Sequence, residues 1–300
     1  MNDPQTTRVN IKIQDGCNNR CSYCTIPFAR GKNRSDSIEH VVEQINLLVQ
    51  NGYYETVLTG IHIGQWGYDF KPQKKLMELL ERIEETNIKR YRLGSLNPTE
   101  LPLEFINFLS QSKKFCPHFH LSLQSCCDKT LKDMNRNYSV EDIFKIVDYI
   151  NEKLSHTFLG SDIIAGFAGE SHQDFEITRK NLEKLELTRM HIFPYSRRKG
   201  TLAYSMSNQV DDNEKKERCS ILQKISDEKI IKFLKSNIGE KNEVIVEKAR
   251  DKKSGLLKGV TKNYINVLIE GNDNLKDTLQ NVVIRGFSEQ EGKMRAEISL

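Results

Sequence analysis

Apolar positions along the first two thirds of the chain switch repeatedly between two periods. Val9, Ile11 and Ile13 alternate with polar residues, the spacing of a strand with one buried face. Ile38, Val41, Val42, Ile45 and Leu48 then recur at helical spacing. Asp36 and Glu39 read as a capping box at the start of that helix, and Asn51-Gly52 ends it. Glu55–Thr59 predicts a second strand, Leu76, Leu79, Leu80 and Ile83 a second helix, and Tyr91–Ser95 a third strand. Phe119–Leu123 and Thr157–Ile164 predict two more strands around a helix at Val140–Leu154, and Met190–Phe193 a last one. Strands alternating with helices imply a parallel sheet. Six such units predict an α/β fold, an open, partial (β/α)6 barrel that binds ligands at its strand C-termini.

The pattern changes after about residue 210. Val210 to Asn237 is highly charged, with Ile221, Leu222, Ile225, Ile230, Ile231 and Leu234 at helical intervals, and reads as a long helix leaving the barrel. Beyond Gly239 the period becomes two. Val244–Val246, Tyr264–Ile269, Val282–Ile284 and Met294–Ile298 are short strands between Gly, Asn and Asp turns. They predict a small antiparallel, all-β barrel, a fold often used to hold RNA. The expected division is a first domain over residues 1–237, ending in the connecting helix, and a second over 238–300.

The chemistry concentrates in one loop. Cys17, Cys21 and Cys24 follow the first strand in a C-x3-C-x2-C spacing. Three thiolates at such spacing suit one face of an iron–sulfur cubane and leave one iron open. Zinc normally asks for four protein ligands, and no second C-x2-C pair is present. A disulfide framework asks for an oxidising compartment and usually an even count, whereas this chain has seven cysteines and no secretory signal. Cys116, Cys126, Cys127 and Cys219 are scattered and read as small buried hydrophobes. No apolar run approaches membrane-spanning length, so the expected compartment is the cytoplasm, with no membrane partner. The net charge of +4 permits a nucleic-acid partner without demanding one.

Four further segments place polar or glycine residues at the C-terminal ends of predicted strands: Thr59 to His62, Ser95, Gln124-Ser125, and Ser161 to Glu170. Each alone is ordinary turn chemistry; together, on one barrel face, they suit a nucleoside cofactor. Gly60, Ser95, Gln124 and Asp162 are the candidate contacts. His62 reads equally as a wall of that site or as a simply hydrogen-bonded histidine. Arg30, Lys32 and Arg34, with Arg197, Arg198 and Lys199, would line the open face where phosphates approach, or form a solvated rim. Lys258, Lys262, Arg285 and Arg295, with Tyr264, would add phosphate and stacking contacts on the small barrel.

The cysteine loop, with Tyr23 before its last cysteine, resembles the signature of the radical S-adenosylmethionine superfamily. Gln14–Cys17, Ile26–Gly31, Cys116–Leu121, Leu131–Arg136, Ile163–Glu170 and His191–Thr201 resemble its methylthiotransferase branch. Val57–Gly64 is similar to the subgroup acting on threonylcarbamoyladenosine at tRNA position 37, and the small barrel resembles a TRAM domain. The resemblance implies a [4Fe–4S] cluster on Cys17, Cys21 and Cys24, and S-adenosylmethionine bound at the open iron. Cleavage to a 5′-deoxyadenosyl radical would follow, then methylthiolation at C2 of the modified adenosine. It also implies tRNA as partner, together with an electron donor protein. Members usually begin with another domain carrying a second cluster, with no equivalent here, so three expectations stand open: a fragment of a longer chain, a partner such as a separate sulfur donor or cluster domain, or radical chemistry without sulfur insertion. Cys126-Cys127 stand where the family has Gly-Ser, and Ala168 where it has proline. A non-catalytic tRNA-binding paralogue and a radical enzyme acting on a protein are the alternatives.

Overall fold

The computed structural model describes residues 6–288 and 291–299. Its main sheet builds in sequence order. Arg8–Lys12, Glu55–Thr59 and Arg90–Leu93 pair in parallel, with Glu55 opposite both Arg8 and Arg90. Ser95–Leu96, His118–Gln124, Phe158–Ala165 and Arg189–Pro194 continue in the same sense, each parallel to the next. The first and last of these strands do not pair with each other, so the α/β barrel is open.

The third strand, expected to run unbroken to Ser95, is divided at Gly94. The backbone there lies so close to the second strand that a Cβ would stand 3.2 Å from the Leu58 carbonyl oxygen. Arg90–Leu93 therefore pairs backwards with the second strand and Ser95–Leu96 forwards with the fourth. Below the break, Tyr91 and Phe115 form an isolated bridge.

Helices cover the outer face. Ile38–Gln50 buries Val41, Ile45 and Leu48, and Leu76–Glu84 buries Leu76, Leu79, Leu80 and Ile83. These pack in one cluster with Ile11, Leu58, Leu93, Leu121 and Ile163 from the strands. Each such side chain, fully buried, contributes about 1.5–3 kcal/mol. The first of these helices starts one residue later than the capping-box reading: Ser37 is the cap and accepts the His40 N–H. Asp36 instead binds the imidazole of His40 at 2.8 Å.

Asp212–Ser236 is a single helix fastened to the edge strand. Ser226 Oγ accepts the Met190 N–H at 2.8 Å and donates to the Met190 carbonyl at 2.9 Å. After Asn237, Gly239 turns the chain at φ 92° into the small barrel. Five strands close it, in the order Lys241–Arg250, Leu257–Thr261, Asn266–Ile269, Lys293–Ile298, Leu279–Ser288. It is not wholly antiparallel as expected, because Asn266–Ile269 and Lys293–Ile298 run parallel. Val244, Leu257, Val267, Ile284 and Met294 fill its own core.

The small barrel docks under the N-terminal ends of the sheet. Arg90 and Glu55 form a fully buried ion pair there, Nε to Oε2 at 2.5 Å. Arg90 also donates to the Val260 carbonyl at 3.0 Å, and the Tyr264 hydroxyl donates to Glu55. The Arg92 guanidinium lies 4.5 Å from the Tyr264 ring centre. Tyr264 is thus spent on this junction and is not a free stacking platform for RNA. Lys262 likewise donates to the Lys113 carbonyl.

Candidate functional site

At the other end of the first strand the chain makes a pinched loop. Gln14–Asp15 pairs antiparallel with Arg34–Ser35, which brings the two ends of residues 16–33 together. Gly16 sits at the neck with φ 74°, where a Cβ would lie 2.0 Å from the Lys32 carbonyl oxygen. Any other residue would force the neck open. The Gln14 amide donates to the Gly16 carbonyl at 2.8 Å and to Asn33 Oδ1 at 2.5 Å, while its oxygen accepts the His62 N–H at 2.7 Å. The loop leans on the rest of the barrel through Ser22, whose N–H reaches the Met134 carbonyl at 3.0 Å.

Cys17, Cys21 and Cys24 stand on this loop, each half-buried. Cys17 Sγ lies 3.5 Å from His62 Nδ1 and accepts the Asn19 N–H at 3.4 Å. Burial pushes the Cys17 thiol up, but the His62 and Asn19 hydrogen bonds outweigh it and leave it lowered. Cys21 Sγ accepts an N–H from Arg136 at 3.2 Å. Cys24 is shifted upward by burial, and further by the neighbouring sulfurs of Cys21 and Cys17. Three soft donors close enough to repel as thiolates, each with an N–H aimed at it (Ile26 N–H at Cys24), fit a thiolate-ligated cluster.

His62 and Arg136 carry this arrangement into the barrel. His62 Nε2 meets the Glu100 carboxylate, and the Asn97 amide approaches the same nitrogen at 2.6 Å. Burial alone would lower the His62 pKa; Cys17 and Glu100 raise it to about 9. Arg136 donates to the Ser122 carbonyl at 3.0 Å, to Tyr138 at 2.8 Å and to Asn97. His62 is thus hydrogen-bonded at both ring nitrogens and stands beside Cys17. Arg136 has no role that its sequence neighbours predict, since nothing local to it signals a sulfur partner.

Beside Cys24 opens a cavity of about 420 Å³, lined by Tyr23, Gln124, Asp162, Phe193, Tyr195 and Arg198 among others. Of the four candidate cofactor contacts, Gln124 and Asp162 line it; Gly60 and Ser95 do not. Gln124 holds a left-handed backbone, φ 64°, where its strand ends. Gly60 packs against the neck of the cysteine loop, where a Cβ would lie 2.8 Å from the Gln14 carbonyl oxygen. Ser95 is exposed at the Gly94 break.

Comparison with known proteins agrees with this geometry. Residues 11–182 match the Radical SAM superfamily. The chain is 36% identical over 294 residues to threonylcarbamoyladenosine tRNA methylthiotransferase MtaB of Bacillus subtilis (strain 168), covering 96% of this chain and 65% of that protein. It is 32% identical to the tRNA-2-methylthio-N(6)-dimethylallyladenosine synthase of Pelotomaculum thermopropionicum (strain DSM 13744 / JCM 10971 / SI), over 93% of this chain and 62% of that one. It thus spans slightly less than two thirds of these relatives. Among solved structures, the radical S-adenosylmethionine methyltransferase TsrM from Kitasatospora setae shares the fold, with a TM-score of 0.52 at 18% identity over 62% of this chain and 34% of TsrM. A sulfur-bearing loop at the mouth of an open parallel barrel and a match across more than half the sequence lead to one conclusion: the chain belongs to the radical SAM superfamily.

Proposed function

We propose that the chain carries out the radical chemistry and RNA binding of tRNA methylthiolation, at C2 of N6-threonylcarbamoyladenosine in position 37. A [4Fe–4S] cluster and S-adenosylmethionine are the superfamily's cofactors; when bound, they supply a carbon-centred radical that removes a hydrogen atom from substrate. Cys17, Cys21 and Cys24 would hold the cluster, and Arg136, Asn19 and His62 hold their sulfurs in place. Gln124 and Asp162 offer an amide and a carboxylate to the hydroxyl and amino groups of a nucleoside in the adjoining cavity, whose volume is in the range of small-ligand sites. Gly60 and Ser95, at the same ends of neighbouring strands, remain candidates for the rest of that molecule.

The observation that carries this reading is the three thiols on one pinched loop, with Cys24 sharing a cavity wall with Gln124 and Asp162. The choice of modified adenosine rests on Val57–Gly64 and on likeness to MtaB. Partners on this reading are tRNA, an electron donor protein and a sulfur source. The test is anaerobic reconstitution, reduction and addition of S-adenosylmethionine. The expected result is 5′-deoxyadenosine, abolished by Cys21→Ala, and, with a sulfur donor, a methylthio product by mass spectrometry on tRNA bearing threonylcarbamoyladenosine. Absence of deoxyadenosine from cluster-loaded protein would support the non-catalytic RNA-binding alternative. Product on dimethylallyladenosine tRNA instead would reassign the substrate.

A further inference from the structure

Beside the Cys24 cavity, and sharing Asp162 with it, three parallel neighbouring strands bring two histidines and a carboxylate together. His120, Asp162 and His191 each alternate with fully buried, outward-packing residues: Phe119 and Leu121, Ser161 and Ile163, Met190. They therefore share the inner face. The register sets Asp162 opposite His191 and His120 opposite Gly160. A Cβ at residue 160 would stand 3.0 Å from His120 Nδ1, so the glycine leaves the imidazole its room.

The side chains converge. Asp162 Oδ1 lies 3.0 Å from His120 Nε2 and 3.6 Å from His191 Nδ1, and one donor atom from each residue falls within 4.8 Å of the others. Two donors bound about 2.0–2.1 Å from one tetrahedral ion are about 3.4 Å apart, so the observed separations bracket that value. The donor set is two imidazole nitrogens and one carboxylate oxygen, the set used by zinc and other divalent first-row metals with a position left open. His191 is half exposed, 52% of its side chain, which gives an ion a way in.

We propose that His120, Asp162 and His191 form a binding site for one divalent first-row transition-metal ion, with zinc as the reference ion, separate from the cysteine loop. The site needs no change of backbone, since its three ligands come from adjacent strands of the rigid sheet. Asp162 belongs to both this triad and the Cys24 cavity, so metal occupancy and cavity chemistry would share one side chain.

The test uses the full chain with its iron–sulfur cluster reconstituted, stripped of adventitious metal, and dialysed against zinc. We expect one zinc per chain by elemental analysis. Zinc-edge X-ray absorption should give a shell of nitrogen and oxygen at about 2.0–2.1 Å with imidazole scattering and no sulfur at about 2.3 Å. His191→Ala, at an exposed position that leaves iron content and melting temperature unchanged, should weaken zinc binding by about 100-fold, the upper end of what even an outer-shell loss does to metal affinity. His120→Ala should do the same. Loss of all zinc on dialysis of the unaltered chain, a sulfur-containing shell, or undiminished affinity in His191→Ala with iron still bound would each overturn the proposal.

Discussion

The sulfur of Cys21 accepts an N–H from Arg136, and the same guanidinium holds Asn97, Ser122 and Tyr138. One side chain thus fixes a ligand and the strand behind it. Arg136→Gln should lower affinity for iron by about 10–100-fold, read as iron retained per chain during a chelator challenge. Retention equal to the unaltered chain would mean that Cys21 needs no support. Reactivity separates the seven thiols. Cys17 is lowered and half-buried, whereas Cys126 is fully buried and pushed up to about 12 by burial, then by Cys127 and Asp128. Cys116 is buried and shifted further upward. Brief iodoacetamide treatment of cluster-free, folded chain should label Cys17 and leave Cys116 and Cys126 unmodified, by peptide mass spectrometry. Cys126 is therefore a packing residue: it sits in the main core, and the Asn181 amide donates to its carbonyl at 2.9 Å.

Among the elements, the junction between sheet and small barrel encloses a buried ion pair. Glu55 and Arg90 are both fully buried, and Tyr264 reaches across from the small barrel to complete the carboxylate's bonds. Removing one partner leaves the other charge in a dry site. Glu55→Gln should cost about 3–5 kcal/mol in urea unfolding. Tyr264→Phe, which deletes one hydrogen bond to a charged group, should cost about 1.5–3 kcal/mol. A Glu55→Gln chain of unaltered stability would show that the pair is dispensable. The strands are legible in sequence because Val9, Ile11 and Ile13, or Phe119, Leu121 and Leu123, alternate with polar neighbours. Leu257–Thr261 is not legible as a strand, since Lys258 and Gly259 interrupt its pattern, although it pairs on both sides. The Gly94 break and the employment of Tyr264 depend on partners distant in sequence, Leu58 and Glu55, and no local signal marks them. Cys17, Cys21 and Cys24 are legible because a ligand spacing is itself local. The triad of His120, Asp162 and His191 exists through strand register alone.

At the scale of the whole molecule, the cysteine loop and the segment after the last strand bring exposed cations to one mouth. Arg30 and Arg34 are exposed, as are Arg197, Arg198 and Lys199, and Lys32 lies between the first two. Phe28 at 73% and Leu202 at 72% exposure give this rim apolar surface as well. Replacing Arg197, Arg198 and Lys199 together by Ala should weaken tRNA binding and flatten its salt dependence, by about 0.7–0.9 in log–log slope for each phosphate no longer neutralised. An unchanged slope in filter binding would place the RNA elsewhere. Deleting the small barrel is a poorer test of RNA binding, since it uncovers Arg90 and Glu55. No helix among the described residues is long and apolar enough to cross a membrane. A barrel that stops short of closure also leaves two raw sheet margins, each able to recruit a strand from another copy. At the last strand, the Ser226 hydroxyl occupies both the N–H and the carbonyl of Met190. At the first, Arg8 pairs with Glu247 of the small barrel and Lys12 with Asp15, so both ends of the strand carry charged side chains. The open seam of the barrel is thereby kept from becoming a seed for self-association.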